Sequence, residues 1–237
     1  MQKMETIVSK DFFDAIKQGD LGQVKSLLSS NFDLFYERDN GLSPVIVAVY
    51  SQEQKITDFL IDRAGSLNIF EASATGKTNQ IARHLARDPL LVNSYSCDGY
   101  QPLGLACYFG HIKTAEYLIK AGAVVNAPSR NALGAPPILS ATAAGHVKIV
   151  MLLIKYNANP NARESNGYTP LHAAAQNGDT DMIRSLLFNG ADMTLCSSQG
   201  ELPIDLAIEG GHTEAAALFK EGITRRFKSF QLNHSKN

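Results

Sequence analysis

The feature that most constrains this 237-residue chain is a proline that recurs at a fixed spacing. Pro137, Pro170 and Pro203 lie 33 residues apart, and the clearest copy of the surrounding segment runs Gly167-Tyr168-Thr169-Pro170-Leu171-His172. A chain that repeats one supersecondary unit at such a period buries its core by stacking each unit on its neighbours. The spacing therefore predicts a repeat stack, and its function must be sought on the surface of that stack.

Each unit is typical of a turn followed by two short helices. Ser43 and Pro44 predict a helix start, because a serine side chain can accept a bond from a free first-turn amide and proline fits the first helical position. Gly122 predicts a helix end in the left-handed conformation, and Asn157 takes the same place in a later unit. The pattern indicates two antiparallel helices in every unit.

The units are not identical. Residues 11–28 lack the Thr-Pro opening and are interpreted as a cap, and the unit at Ala72 has no proline and starts only 24 residues after Ala48. Its connecting hairpin must be shortened, whereas the loop at residues 127–134 is two residues longer than its equivalents. We predict one domain over residues 1–222, with about seven repeats of which the third is degenerate, followed by a polar basic tail at residues 223–237.

The recurring segments Gly-x-Thr-Pro-Leu-His, Gly-His and Gly-Ala-Asp, together with the period, identify a resemblance. The chain resembles the ankyrin-repeat family over roughly residues 9–222. The resemblance implies an all-α fold, an ankyrin-repeat solenoid of stacked helix-turn-helix units that carry short hairpin or loop fingers. In such a unit we expect Thr169 to cap the first helix, and His172 to bond either the Thr169 hydroxyl or the backbone of a neighbouring repeat.

The bulk composition excludes several classes of function. The chain carries 22 basic and 23 acidic residues, a net charge of −1, so it has no long-range field for nucleic acid or an anionic membrane. Its three cysteines have no metal-binding or disulfide spacing, and no apolar run is long enough for a signal sequence or a membrane-spanning helix. We expect a cytoplasmic protein that needs no cofactor, and the basic tail (Arg225, Arg226, Lys228, Lys236) is interpreted as solvated.

Several residues resemble parts of catalytic, metal-binding or phosphate-binding motifs, but the surrounding sequence does not complete those motifs. His172 taken alone could be a catalytic base, and Cys107 with His111 could be two metal ligands, but the repeat pattern explains each of them structurally. The segment at Gly76 and Lys77 resembles the end of a phosphate-binding loop, yet the required earlier glycine is Glu71. We therefore predict no catalytic, metal-binding or cofactor-binding residues and no enzymatic activity.

The resemblance implies a protein partner, bound through the hairpin tips and the concave face of the first helices. Tyrosine supplies large contact areas at low entropic cost, and the unit around Pro102 has four aromatic residues at the variable positions. The predicted contact residues are Tyr95, Tyr100, Tyr108, Phe109, Arg130, Arg163, Tyr168, Gln176 and Asn177. For Phe109 and Tyr108 a second interpretation is packing beneath the shortened repeat.

The leading hypothesis for function is a non-catalytic interaction module, either an adaptor or an inhibitor that masks a partner's surface. We expect a monomer that binds a protein and neither nucleic acid nor membrane. The alternative is a regulatory ankyrin protein with a small enzymatic or ligand-binding site that the sequence does not reveal.

Overall fold

A computed structural model describes residues 2–222 of the chain, with side chains from residue 8 onward. The described residues form an all-α helical repeat solenoid, as the resemblance implied. They divide into two compact units, Met1–Pro102 (unit 1) and Leu103–Asn237 (unit 2). The single domain, the count of seven repeats and the boundary at residue 222 stay predictions, and the basic tail at residues 223–237 lies outside the described residues.

Unit 1 holds three helix pairs and two short 3-10 helices, which occupy the loops before the fingers. The pairs are α1 (Gln2–Lys17) with α2 (Leu21–Ser30), α3 (Pro44–Tyr50) with α4 (Gln54–Arg63), and α5 (Ile69–Ala74) with α6 (Thr78–Arg87). The 3-10 helices are Phe32–Tyr36 and Pro89–Asn93.

Up to residue 222, unit 2 has four helix pairs, and each first helix begins at a repeated proline. The first helices are α7 (Pro102–Tyr108, whose proline closes unit 1), α9 (Pro137–Ala143), α11 (Pro170–Gln176) and α13 (Pro203–Glu209). Their partners are α8 (Ile112–Lys120), α10 (Val147–Lys155), α12 (Thr180–Phe188) and α14 (residues 213–222).

The helix ends follow the local sequence signals. Ser43 Oγ accepts a bond from the Ile46 N–H at 3.3 Å, and Asn157 has the left-handed φ of 65° expected from its place in the repeat. At the start of α6 the N-cap residue is Lys77, which makes no side-chain cap hydrogen bond, so this helix start lacks the stabilisation that a Ser, Thr, Asp or Asn cap gives.

The core depends on small residues in the first helices. The fourth residue after each opening proline is an alanine with no exposed surface, at Ala48 in unit 1 and at Ala106, Ala141, Ala174 and Ala207 in unit 2. Because alanine adds almost no bulk, neighbouring helices can approach closely and bury larger residues such as Leu153 from the second helices.

The third repeat keeps its helices and lacks its finger. Residues 64–68 alone join α4 to α5, whereas residues 156–169 join α10 to α11. The start of α5 is stabilised instead by a capping box, in which the Asn68 side chain accepts from the Glu71 N–H and the buried Glu71 carboxylate accepts from the Asn68 N–H. The deletion thus removed a surface loop without removing the helix start.

Across residues 2–222, no helix is both long enough and apolar enough to cross a membrane.

Candidate functional site

The nine predicted contact residues fall into both units. Tyr95 and Tyr100 belong to unit 1, and the other seven belong to unit 2. Five of those seven side chains are exposed, namely Tyr108 (to 48%), Arg130, Arg163, Gln176 and Asn177.

Both ring nitrogens of His172 in unit 2 have hydrogen-bond partners. Its Nδ1 accepts from the Thr169 N–H at 3.1 Å and lies 2.9 Å from the Thr169 hydroxyl. Its Nε2 lies 3.0 Å from the carbonyl oxygen of Glu201 in the next finger, so Nε2 carries the proton and donates it. Burial lowers the pKa of His172, because desolvation disfavours the charged imidazolium. Both structural bonds anticipated for this residue are present, and neither nitrogen is left for a substrate.

Two further histidines tie neighbouring repeats together at the turns between helices. His146 Nε2 donates to the Tyr108 carbonyl oxygen and His212 Nε2 donates to the Gln176 carbonyl oxygen, each at 3.0 Å. Their rings lie against Gly110 and Gly178, where an added Cβ would come within 2.8 Å and 2.5 Å of a ring atom. Both histidines therefore hold neighbouring repeats of unit 2 together.

The fingers of unit 2 are joined to each other through the backbone. The Ser165 N–H donates to the Leu133 carbonyl at 2.8 Å, and the Ser198 N–H donates to the Asn166 carbonyl at 2.8 Å. Gly167 makes this approach possible, since its φ is +80° and a Cβ there would lie 2.9 Å from the Ser198 nitrogen. Side chains at the finger tips are consequently held on a rigid backbone.

Two asparagines form a second ladder behind the fingers. Asn126 donates through Nδ2 to the Asn157 carbonyl and accepts from the Asn159 N–H, both at 2.9 Å. Asn161 makes the same pair of bonds one repeat later, to the Gly190 carbonyl at 3.0 Å and from the Asp192 N–H at 2.7 Å. Sequence reasoning missed these bridges, although their signal was available as an asparagine at the same register of two repeats.

Among the predicted contact residues of unit 2, some also support the fold. The Asn177 side chain donates to the Ala143 carbonyl at 3.0 Å, while the rest of the side chain is exposed. Phe109 is half-buried and meets the Tyr108 ring edge-on, with ring centroids 5.1 Å apart. Tyr108 is accordingly the accessible half of this aromatic pair.

Tyr168 makes contacts with the next repeat and with the first helix of its own repeat that its position on a finger did not predict. Its hydroxyl donates to Glu201 Oε2 at 2.6 Å, and its ring packs edge-on against His172 at 5.3 Å between centroids. The bond to the carboxylate raises the pKa of Tyr168, and the hydrogen bonds from Tyr168 and Ser197 lower the pKa of Glu201. A partner that contacts Tyr168 meets a ring that is already fixed in place.

In unit 1 the missing finger brings two other fingers into contact. Cys97 Sγ donates to the Gly41 carbonyl at 3.3 Å, although the two residues belong to the second and fourth repeats. The Tyr50 hydroxyl donates to Asp98 in the same fourth finger. Burial, followed by the bond and charge of Asp98, raises the pKa of Tyr50. Tyr50 therefore spans the place where the third finger is absent.

The two predicted contact residues of unit 1, Tyr95 and Tyr100, are both half-buried. The Tyr100 backbone closes its finger, because its N–H donates to Ser96 Oγ and its carbonyl accepts from the Ser96 N–H.

An aromatic cluster in unit 1 was missed altogether. Phe32, Phe35 and Tyr36 lie together in the first 3-10 helix, with ring centroids 5.7 to 6.0 Å apart. Phe32 and Tyr36 are exposed to 46% and 66%. Three aromatics within five residues were a visible signal, but this 3-10 helix lies outside the finger tips and first helices, where the contact residues were predicted.

Features that imitate a reactive site have ordinary surroundings. Gly76 and Lys77 occupy the turn between α5 and α6, and Gly76 has the left-handed φ of 70°. Cys107 is fully buried, and burial raises the pKa of its thiol. Within residues 8–222, no group of three His, Cys, Asp or Glu side chains is placed to hold a metal ion.

Comparison with known families gives two matches. A family of ankyrin repeats in three copies matches residues 12–129 and 128–195, and a family of ankyrin repeats in many copies matches residues 173–219.

Three curated relatives illustrate the range of proteins that carry similar repeats. Alpha-latrocrustotoxin-Lt1a of Latrodectus tredecimguttatus is 27% identical over 210 residues, which are 84% of this chain and 14% of the toxin. E3 ubiquitin-protein ligase KEG of Arabidopsis thaliana is 28% identical over 200 residues, 84% of this chain and 11% of the ligase. Cyclin-dependent kinase 4 inhibitor B of Rattus norvegicus is 36% identical over 115 residues, 48% of this chain and 86% of the inhibitor. This chain thus spans only a small part of the first two relatives and most of the third.

Proposed function

The chain belongs to the ankyrin-repeat family, and we propose that it is a non-catalytic binding module, an adaptor or an inhibitor that masks a partner's surface. Ankyrin repeats are a protein–protein interaction fold. One relative, of whose length this chain covers 86%, is an inhibitor by name, which supports an inhibitor or adaptor over an enzyme.

The proposal rests on a difference in unit 2 between the residues that recur from repeat to repeat and the residues that vary. The residues that repeat from unit to unit are buried and use their polar atoms inside the stack, as Thr169 and His172 do. The residues that change from unit to unit, such as Tyr108, Arg163 and Gln176, present their side chains to solvent. A scaffold that holds variable side chains on fixed bonds is suited to recognition.

Chemistry in the repeats is disfavoured by the same arrangement. A general base needs a nitrogen or oxygen that can reach a substrate proton, and both ring nitrogens of His172 already serve the backbone and Thr169. Its lowered pKa has a structural cause, which is burial. We therefore assign His172 to positioning the helix start of α11.

The contact surface that we propose for unit 2 is centred on Tyr108 and Arg163. The Tyr108 ring is exposed and braced by Phe109, and the Arg163 guanidinium has no ion pair among the described residues. Tyrosine and arginine are the residue types enriched where interface energy concentrates. In unit 1, Tyr95 and Tyr100 remain proposed contacts, with each side chain partly accessible.

Capture experiments with the full chain as bait test this proposal. Wild-type chain and the Tyr108→Ala/Arg163→Ala double variant are immobilised, and proteins retained from the source cell are quantified by mass spectrometry. We expect a partner whose retention falls at least about tenfold in the double variant, since losing two hot-spot side chains removes more than 1.4 kcal/mol.

The matched control is Phe188→Ala, which removes a ring that is 90% exposed on α12, away from the fingers. Circular dichroism checks that all three chains are folded. The proposal fails if the double variant and the Phe188 control retain the same proteins in equal amounts.

A further inference from the structure

The outer side of α13 differs from that of the preceding first helices. The fifth residue after each opening proline is Thr142 in α9, Ala175 in α11 and Ile208 in α13. Thr142 and Ala175 are 1% and 0% exposed because the next repeat covers them, whereas Ile208 is 55% exposed. The register position that elsewhere holds a small buried residue thus holds a bulky apolar one in the open.

Carboxylates surround this apolar side chain. An open depression of about 400 Å³ lies on this face and is lined by Gln199, Gly200, Glu201, Asp205, Ile208 and Glu209. Asp205 stands at the register of His172, which is fully buried, yet Asp205 is exposed. The face therefore combines one exposed isoleucine with three acidic side chains, and a matching occupant must be both apolar and basic.

Residues 223–237, which lie outside the described part of the chain, have that composition. Residues 223–237 contain the basic residues Arg225, Arg226 and Lys228, interleaved with Phe227, Phe230 and Leu232. The whole chain carries 22 basic and 23 acidic residues, and four of the basic residues but none of the acidic ones lie in this segment, so residues 1–222 carry a net charge of −5. Arginine and lysine can pack their aliphatic stems on an apolar side chain while the charged ends meet carboxylates.

The chain geometry lets the segment reach the face. A Cβ on Gly222 would come within 2.7 Å of Met193 Cε, so the described end of α14 lies beside the residues that lead into the last finger. Because α13 and α14 are antiparallel, this is also the end at which α13 begins. An extended chain spans up to about 3.3–3.6 Å per residue, so Arg225 and Arg226 can lie about 10–14 Å from Gly222, and α13 itself is only about 10 Å long.

We propose that residues 223–237 dock on the outer face of α13, with Phe227 or Phe230 against Ile208 and the arginines opposite Asp205 and Glu209. The tail then takes the place that a following repeat has on α9 and α11. It also covers the edge of the last finger, so a partner that contacts Gln199 has to displace it. The docking is a property of the isolated chain and does not depend on the proposed binding function.

Limited trypsin digestion of the full chain tests the docking directly, because trypsin cleaves after Lys228. The rate of this cleavage is divided by the rate in a free peptide of residues 223–237 with the same substitutions. Cleavage tracks the population of the undocked state when docking is fast. We expect Lys228 in the full chain to be cut at least about tenfold more slowly than in the peptide, equivalent to 1.4 kcal/mol.

Two sets of variants identify the contacts. Ile208→Asp should abolish the protection, while Phe188→Asp, an equally polar change at an exposed ring of α12, should leave it intact. Glu209→Lys and Arg226→Glu should each weaken the protection, and the double variant should restore it because the charges are exchanged. Thermal unfolding checks that every variant is folded.

The remaining outcomes each overturn the proposal. Cleavage at the peptide rate in the wild-type chain means that the tail does not dock. Protection that is equal in Ile208→Asp and wild type means that it docks elsewhere. Protection that grows with protein concentration means that a second copy of the chain, and not its own tail, covers α13.

Discussion

The two units join their fingers in different ways. In unit 2, each finger meets the next through a backbone bond, such as Ser198 N–H to the Asn166 carbonyl, and an asparagine bridges the same pair of repeats from behind. In unit 1 the third repeat has no finger, and the second and fourth fingers meet through the Cys97 thiol and the Tyr50 hydroxyl.

The difference shows what a solenoid gains from its regular period. A backbone bond is available to any sequence, so it recurs wherever the period is kept. In unit 1, where the third repeat has no finger, the join instead uses the Cys97 and Tyr50 side chains.

Glycine substitutions should give the largest difference between the two kinds of join. Gly167→Ala in unit 2 combines a left-handed φ, which costs alanine about 1–2 kcal/mol, with a collision against the Ser198 backbone that adds about 1–3 kcal/mol. Gly41→Ala in unit 1 has a similar φ of 85° but meets only the Cys97 side chain at 3.3 Å, which can move. The free energy of unfolding, measured in urea, should fall more for Gly167→Ala than for Gly41→Ala.

Gly200→Ala and Gly122→Ala are the matched controls, because both glycines have left-handed φ values and no described atom within 4 Å of an added Cβ. The free energy of unfolding of these two variants should fall only by the cost of placing alanine at a left-handed φ. An equal loss in all four variants would contradict the backbone-to-backbone join in unit 2.

Removing one tyrosine hydroxyl from each unit should give a smaller effect. Tyr50→Phe deletes the bond to Asp98, and Tyr168→Phe deletes the bond to Glu201, each contributing roughly 1 kcal/mol at these half-exposed sites. Hydrogen exchange should reveal the contrast. The Leu42 amide, which closes the second finger of unit 1, should lose more protection in Tyr50→Phe than the Ser198 amide loses in Tyr168→Phe.

The reason is that the backbone bond and the His172 bond remain in unit 2 after Tyr168 is changed. Similar losses at both amides would mean that the two joins are equally redundant.

Lowering the pH should give the smallest of these differences between the two units, and it should appear in amide protection. The pKa of His172 is lowered in the folded state by burial, so the unfolded chain binds the proton first, near its usual pKa of about 6.5. Stability from this residue is complete above that pH and declines as the pH falls below it. Lowering the pH from 7.5 to 5.5 should therefore reduce amide protection in α11 more than in α3.

His172→Gln is the control, since its side chain does not titrate. If α11 loses the same protection in wild type and in His172→Gln over this range, another group causes the pH dependence.

The sequence predicted some individual bonds at the start of a repeat, such as those of His172. Pro170, Thr169 and His172 lie within three residues of one another, so their contacts follow from local helix geometry. The bonds of Tyr50 to Asp98 and of Cys97 to Gly41 join residues 48 and 56 positions apart, and nothing in the local sequence indicated them. The predicted contact residues were found at finger and helix ends, but the engagement of Tyr168 by Glu201 required the next repeat to be in place.

The sequence by itself determined that this is a solenoid of helix pairs, because prolines, glycines and alanines at a fixed period act through local conformation and repeated close packing. The tertiary structure decided how the second and fourth repeats meet where the third finger is missing, and which variable side chains remain accessible. Those outcomes depend on distances between separate repeats, and such distances are set only when all the helices have packed. Ile208 shows both: the period fixes its place on α13, and only the packed structure reveals that its apolar side chain is left in the open.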